Sequence, residues 1–137
     1  MQFEYSPFIV PLVFSGLVSI LIAIYAWMRR SNQSAIALAV LALVIAEWCI
    51  GYALEIAAVD LAGKYFWGQL QYIGIATVPL FWLIFTYNYA NPGKRMSHRW
   101  MLALGVLPLT TFLLVMTTEW HGLIWGEVTI TRSANLA

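Results

Sequence analysis

The stretch Ala35–Val59, AIALAVLALVIAEWCIGYALEIAAV, decides the fold. Its 25 residues hold only two charged side chains, Glu47 and Glu55. At about 1.5 Å per residue, a helix of that length covers the roughly 30 Å of a bilayer's hydrocarbon core. A helix is the default, because a lone span must satisfy its backbone internally and the run far exceeds the ten or so residues of a barrel strand. Ala35, Ala39, Ala42, Ala46, Cys49, Ala53 and Ala57 recur at intervals of three and four, which puts them on one helical face. Small side chains along a face let a second helix approach closely, as helices do when they associate in lipid.

Outward from this stretch, three more runs are long and apolar enough to cross: Phe8–Met28, Phe66–Ala90 and Trp100–Thr117. Eleven of the 13 charged residues lie outside the four runs. Across all 137 residues, 62% are apolar and 9% charged, against roughly 45–50% and about 25% in a soluble domain. A domain near this size buries only about 70% of its extended surface, so the apolar surplus faces lipid. The expected fold is an all-α membrane protein: a single membrane domain over 1–137, with four antiparallel transmembrane helices near 8–28, 35–59, 66–90 and 100–117. An outer tail, 118–137, follows. Within it Trp125–Thr131 alternates polar and apolar residues, as a short strand or extended cap does.

The connections Arg29–Ser34, Asp60–Tyr65 and Asn91–Arg99 are short, so successive helices are antiparallel neighbours. Arg29, Arg30, Lys94, Arg95 and Arg99 fall in the first and third, while the opposite side has only Lys64 and Arg132 among its cations. The positive-inside rule then sets the first and third connections in the cytoplasm and the N-terminus outside. Met1–Pro7 carries no basic residue ahead of the first run, unlike a cleaved signal peptide. The net charge of +1 offers no cluster that could neutralise several phosphates, so nucleic acid is not an expected partner. The single cysteine, Cys49, forms no internal disulfide.

The second helix raises the functional question. Glu47 lies about 18 Å from the cytoplasmic end of its span, near mid-membrane, where a carboxyl must meet a partner, a cavity or a proton. Glu55 points about 180° away from the small-residue seam. A close-packing seam on one side and acids on the others require neighbours around most of the helix. The expected partners, besides the lipid bilayer, are therefore further helices of a larger bundle or a second copy of the chain. In the third run Gln69, Gln71, Tyr72, Gly74 and Thr77 precede Pro79. These polar groups are expected to face the interior, with Pro79 as the candidate hinge. An outward-opening pocket lined by Glu55, Gln69, Gln71, Tyr72 and Trp82 is the candidate ligand or relay site, with Glu47 deeper in the membrane. Plain interhelical hydrogen bonding is the competing role for these residues. Tyr65, Phe66, Trp67, Trp100, Trp120 and Trp125 gather at span ends as interfacial anchors. Glu119, His121 and Glu127 match no recognised metal site, and no nucleophile with a base, no phosphate-cradling loop and no cofactor motif stands out.

Three motifs carry a resemblance. The run Glu47–Glu55, EWCIGYALE, is followed by Phe66–Ile75, FWGQLQYIGI, and then by Pro79–Phe85, PLFWLIF, with Tyr89. In this order they resemble the amino-terminal seven-helix membrane region of bacterial and archaeal histidine kinases, and Trp120–Trp125, WHGLIW, is similar to that family's outer segment. The resemblance implies a sensory input region in a prokaryotic plasma membrane, joined in the family to histidine kinase or diguanylate cyclase modules. It names no ligand. Since the chain carries four spans where seven are implied, the expectation is part of a seven-helix bundle, without the catalytic output module and without phosphotransfer of its own. The expected function is sensing of an unknown small-molecule stimulus, relayed by helix rearrangement. The alternatives are a small proton-coupled transporter that uses Glu47 and a structural membrane subunit.

Overall fold

A computed structural model describes residues 3–94, 96–122 and 124, and these form six helices: α1 (Ile9–Met28), α2 (Gln33–Ala57), α3 (Leu61–Leu70), α4 (Tyr72–Ala90), α5 (His98–Met116) and the short α6 (Thr118–His121). Four segments are long and apolar enough to cross a membrane, α3 and α4 together making the third, Leu61–Ala90. No strand occurs among the described residues. The expected strand over Trp125–Thr131, with Arg95 and Glu127, lies outside them.

The third crossing begins at Leu61, five residues before the expected start at Phe66. Asp60 explains the difference: its extended backbone and its carboxylate, accepting from the Gly63 N–H at 2.8 Å, make it a helix cap. The second connection therefore shrinks to 58–60. Asn32 caps α2 in the same way, accepting from the Ser34 N–H at 3.0 Å. At the same end of the molecule as 58–60, the N-terminal segment is tied down by a single antiparallel bridge between Phe3 and Ala58 and by the Glu4 N–H, which donates to the Ala57 carbonyl at 2.8 Å.

The small-residue face of α2 packs on α1. Ala39, Ala42, Ala46, Ala53 and Ala57 are buried, and Ala35 and Cys49 are half-buried. On α1 the matching face is Gly16, Ser19, Ala23 and Ala26, again three and four apart and all buried. Gly16 is needed there, since a Cβ on it would lie 3.0 Å from Ile50 Cγ1 and 3.6 Å from Cys49 Cβ. The rest of α1, including Phe14, Leu17, Leu21 and Tyr25, is exposed apolar surface suited to lipid.

The opposite side of α2 packs on α3 and α4, and α5 packs on α4. No comparable contact joins α1 to α4 or α5, so the spans stand in an open row with α2 the most buried of them. Threonines are compatible with this openness because their hydroxyls bond their own helix: Thr86, Thr110 and Thr111 each donate to the carbonyl four residues back at 2.8–3.0 Å.

Candidate functional site

Where α2 crosses the third span, α3 passes into α4 at Gln71, which keeps a helical backbone (φ −61°, ψ −18°) and helical hydrogen bonds on both sides: its N–H donates to the Trp67 carbonyl at 3.1 Å and its carbonyl accepts from the Ile75 N–H at 3.0 Å. The third span thus runs on as one helix past Gln71, and α4 continues through Pro79, the expected hinge, as well. Membrane helices accommodate proline because neighbours and small backbone adjustments satisfy the freed carbonyl. The junction at Gln71 has a tertiary setting. Gly51 of α2 stands so near that a Cβ on it would be 2.9 Å from Gln71 Cβ and 3.3 Å from Gln71 Cα. Gln71 is buried, and its Nε2 donates to Glu55 Oε2 across the crossing. One turn separates Gly51 from Glu55, so a single face of α2 offers both the gap for the Gln71 backbone and the acceptor for its side chain.

Lys64, in the second turn of α3, reaches back to the same place, its Nζ donating to the Glu55 backbone carbonyl at 3.2 Å. Trp67 lies four residues before Gln71, makes an edge-to-face contact with Phe66 at 5.1 Å, and has a buried indole N–H without a hydrogen-bond partner. That N–H is turned away from an interfacial anchor's place in water. These two residues, together with Gly51, were not legible as part of the group: Lys64 reads as a loop charge and Trp67 as one of several belt aromatics.

About 12 Å along α2 from Glu55, Glu47 meets α4. Its carboxylate lies against Gly74, and both of its oxygens are buried without a hydrogen-bond partner. A Cβ on Gly74 would overlap that carboxylate, sit 2.6 Å from the Val44 carbonyl oxygen and 2.8 Å from Trp48 Cβ. Glycine is therefore what allows α4 to cross α2 at this point.

The expected pocket is brought together in part. Glu55 and Gln71 meet. Gln69 stands about 200° around α3 from Gln71, too far round to share its face, and is half-buried. Tyr72 lines an apolar cleft of about 420 Å³ between α4 and α5 that also includes Thr77 and Phe112. Thr77 does not need the interior, since its hydroxyl donates to the Ile73 carbonyl of its own helix at 2.5 Å. Trp82 is 57% exposed and lies about 16 Å along α4 from Gln71, apart from the group. Pro79 is also exposed. His121 pairs with Thr117 Oγ1 at 3.1 Å, and no group of three metal-ligating side chains occurs among the described residues.

Comparison with protein families matches residues 11–137 to the N-terminal 7TM region of histidine kinase. That region is the sensory, non-catalytic part of its kinases, and the match does not support the transporter alternative. Comparisons with curated proteins and with solved structures give no match. The matched family and the four apolar spans agree on a membrane location. The chain belongs to the family of N-terminal seven-transmembrane regions of histidine kinases.

Proposed function

We propose that this region receives a small-molecule stimulus at the outer end of α2 and α3 and relays it by moving the third span against α2 at Gln71. The observation that carries the proposal is the hydrogen bond between Glu55 and Gln71, placed where Gly51 leaves room for the Gln71 backbone. A ligand with a polar group that competes for either side chain would change the balance between the joined and parted positions. A ligand shifts such an equilibrium only by its differential affinity for the two states. The buried, unpartnered N–H of Trp67 is a second contact available to such a ligand.

The open row of spans favours assembly with further helices of the same region. The charge bias between connections supports an N-terminus outside the plasma membrane and the output module, a kinase, in the cytoplasm. Glu47 is the second relay candidate, because a carboxyl buried at mid-span without a partner responds to any change in the α2–α4 crossing.

The test is made in the kinase that carries this region, by following its autophosphorylation in membranes. Glu55→Gln keeps the shape and weakens the charge-assisted bond, and Gln71→Ala removes it. Both should shift basal autophosphorylation in the same direction at unchanged protein level. Output unchanged in both variants overturns the relay.

A further inference from the structure

At the basic end of the row, away from the Glu55 group, two clefts meet. The outer one, about 490 Å³, is lined by Ser31, Asn32, Gln33, Ser34, Asn88 and Tyr89, all neutral and polar, with Pro92 and Gly93 completing its wall. The inner one, about 330 Å³, runs between α2, α4 and α5 and is walled largely by Ile36, Val40, Phe81, Ile84 and Met101. Gln33 and Asn88 line both. At this junction Asn88 Oδ1 is buried and has no hydrogen-bond partner. A buried acceptor left unpaired costs free energy, so such a group marks a place for a donor.

We propose that these clefts form one binding site for a membrane phospholipid whose headgroup carries an N–H or O–H donor. The polar mouth lies at the end of the spans, at headgroup depth, and the apolar cleft leads from it into the depth of the membrane, so the polarity changes in the direction in which a phospholipid changes from headgroup to acyl chain. The donor answers Asn88 Oδ1. Arg29, Arg30 and Lys94 are at the same end of the molecule, and cations near the membrane surface favour the lipid phosphate. Arg29 and Arg30 are turned along α1, each over an aromatic ring, at 4.6 Å from Tyr25 and 5.8 Å from Trp27. They therefore form a rim and not a cage. Phosphatidylethanolamine and phosphatidylglycerol meet the requirement for a donor, and phosphatidylcholine, whose headgroup has none, does not.

The chain is reconstituted into phosphatidylcholine vesicles containing a trace of one of these three lipids with a photoreactive acyl chain, and adducts are mapped by mass spectrometry. The ethanolamine lipid, the glycerol lipid or both should label Val40, Ile84 or Met101 about fivefold more than the choline lipid, the ratio that one hydrogen bond supplies. Labelling of Phe14 and Leu21 on α1 should be equal for all three. Asn88→Leu should remove the preference, and Val40→Trp, which fills the apolar cleft, should remove labelling of Ile84 and Met101 by every probe. Equal labelling of the cleft by the three lipids, a preference that survives Asn88→Leu, or no cleft adducts at all overturns the site. Because none of these readouts involves the Glu55–Gln71 pair, their failure leaves the proposed relay standing.

Discussion

Gly74 on α4 and Glu47 on α2 share one point of the helix crossing, where the carboxylate occupies the space that any side chain on residue 74 would need. Two of the neighbouring atoms belong to parts that cannot easily move, the Val44 carbonyl oxygen at 2.6 Å and Trp48 Cβ at 2.8 Å from the site of a Cβ. Gly74→Ala therefore forces the helices apart. Overpacking of this kind costs about 1–3 kcal/mol. Denaturation of the chain in detergent micelles should show that loss. Gly105→Ala is the control, because nothing lies within 4 Å of its Cβ position, and alanine in a helix should leave stability unchanged or raise it by about 0.5–1 kcal/mol.

Glu47 itself is predicted to be a stability defect. Both carboxylate oxygens are buried and unpartnered, whereas an apolar side chain of similar size would fill the space without that cost. Removing a buried unsatisfied group recovers about 1–3 kcal/mol. Glu47→Leu should thus stabilise the chain in the same denaturation measurement, while Glu47→Gln, which keeps a polar group there, should not. A destabilised Glu47→Leu variant would mean that the carboxyl has a partner that makes it worth its burial.

The two predictions also divide what was readable in the sequence from what was not. The alanine seam of α2 repeats at helical spacing, and helical spacing survives into the structure, so the α1-facing side could be read directly. Glu55 could be matched in depth to Gln69, because the two flank a short connection at similar distances, although the side chain that meets it is Gln71. The start of α3 could not, since Asp60 and Lys64 look like loop charges until one is seen capping the helix and the other bonding the Glu55 carbonyl. The contact between Gly51 and Gln71 was hidden for a different reason. A proline announces itself in sequence, but the close approach of Gly51 to Gln71 depends on the register of two helices that are distant along the chain. Trp82 illustrates the same limit: its face on α4 is set by where α2 and α5 pack, which the near-uniform apolarity of that helix conceals.

The Glu55–Gln71 pair should be measurable as a coupling. In a double-mutant cycle with Glu55→Ala and Gln71→Ala, the double variant should be less destabilised than the sum of the single ones by about 1 kcal/mol or more, as for a hydrogen bond between partners that are otherwise buried alone. Additive losses would show that the contact contributes nothing of its own. The cycle is best run beside Gly51→Ala, whose Cβ would press on Gln71 Cβ at 2.9 Å and should weaken the same pair without altering either of its polar groups.

Orientation follows from charge and can be checked independently of signalling. Cys49, half-buried within α2, is first replaced by alanine so that the chain has no native thiol. A single cysteine is then placed either at Leu61, an exposed residue at the start of α3, or at Ser31, an exposed residue between α1 and α2. With a membrane-impermeant maleimide, intact cells should label Leu61→Cys, and Ser31→Cys should react only after the membrane is opened, because the connections rich in Lys and Arg are retained in the cytoplasm. The reverse pattern would put Glu55 and Gln71 at the cytoplasmic end. A stimulus from outside could then no longer reach them from water, and the relay would have to be driven from within the cell.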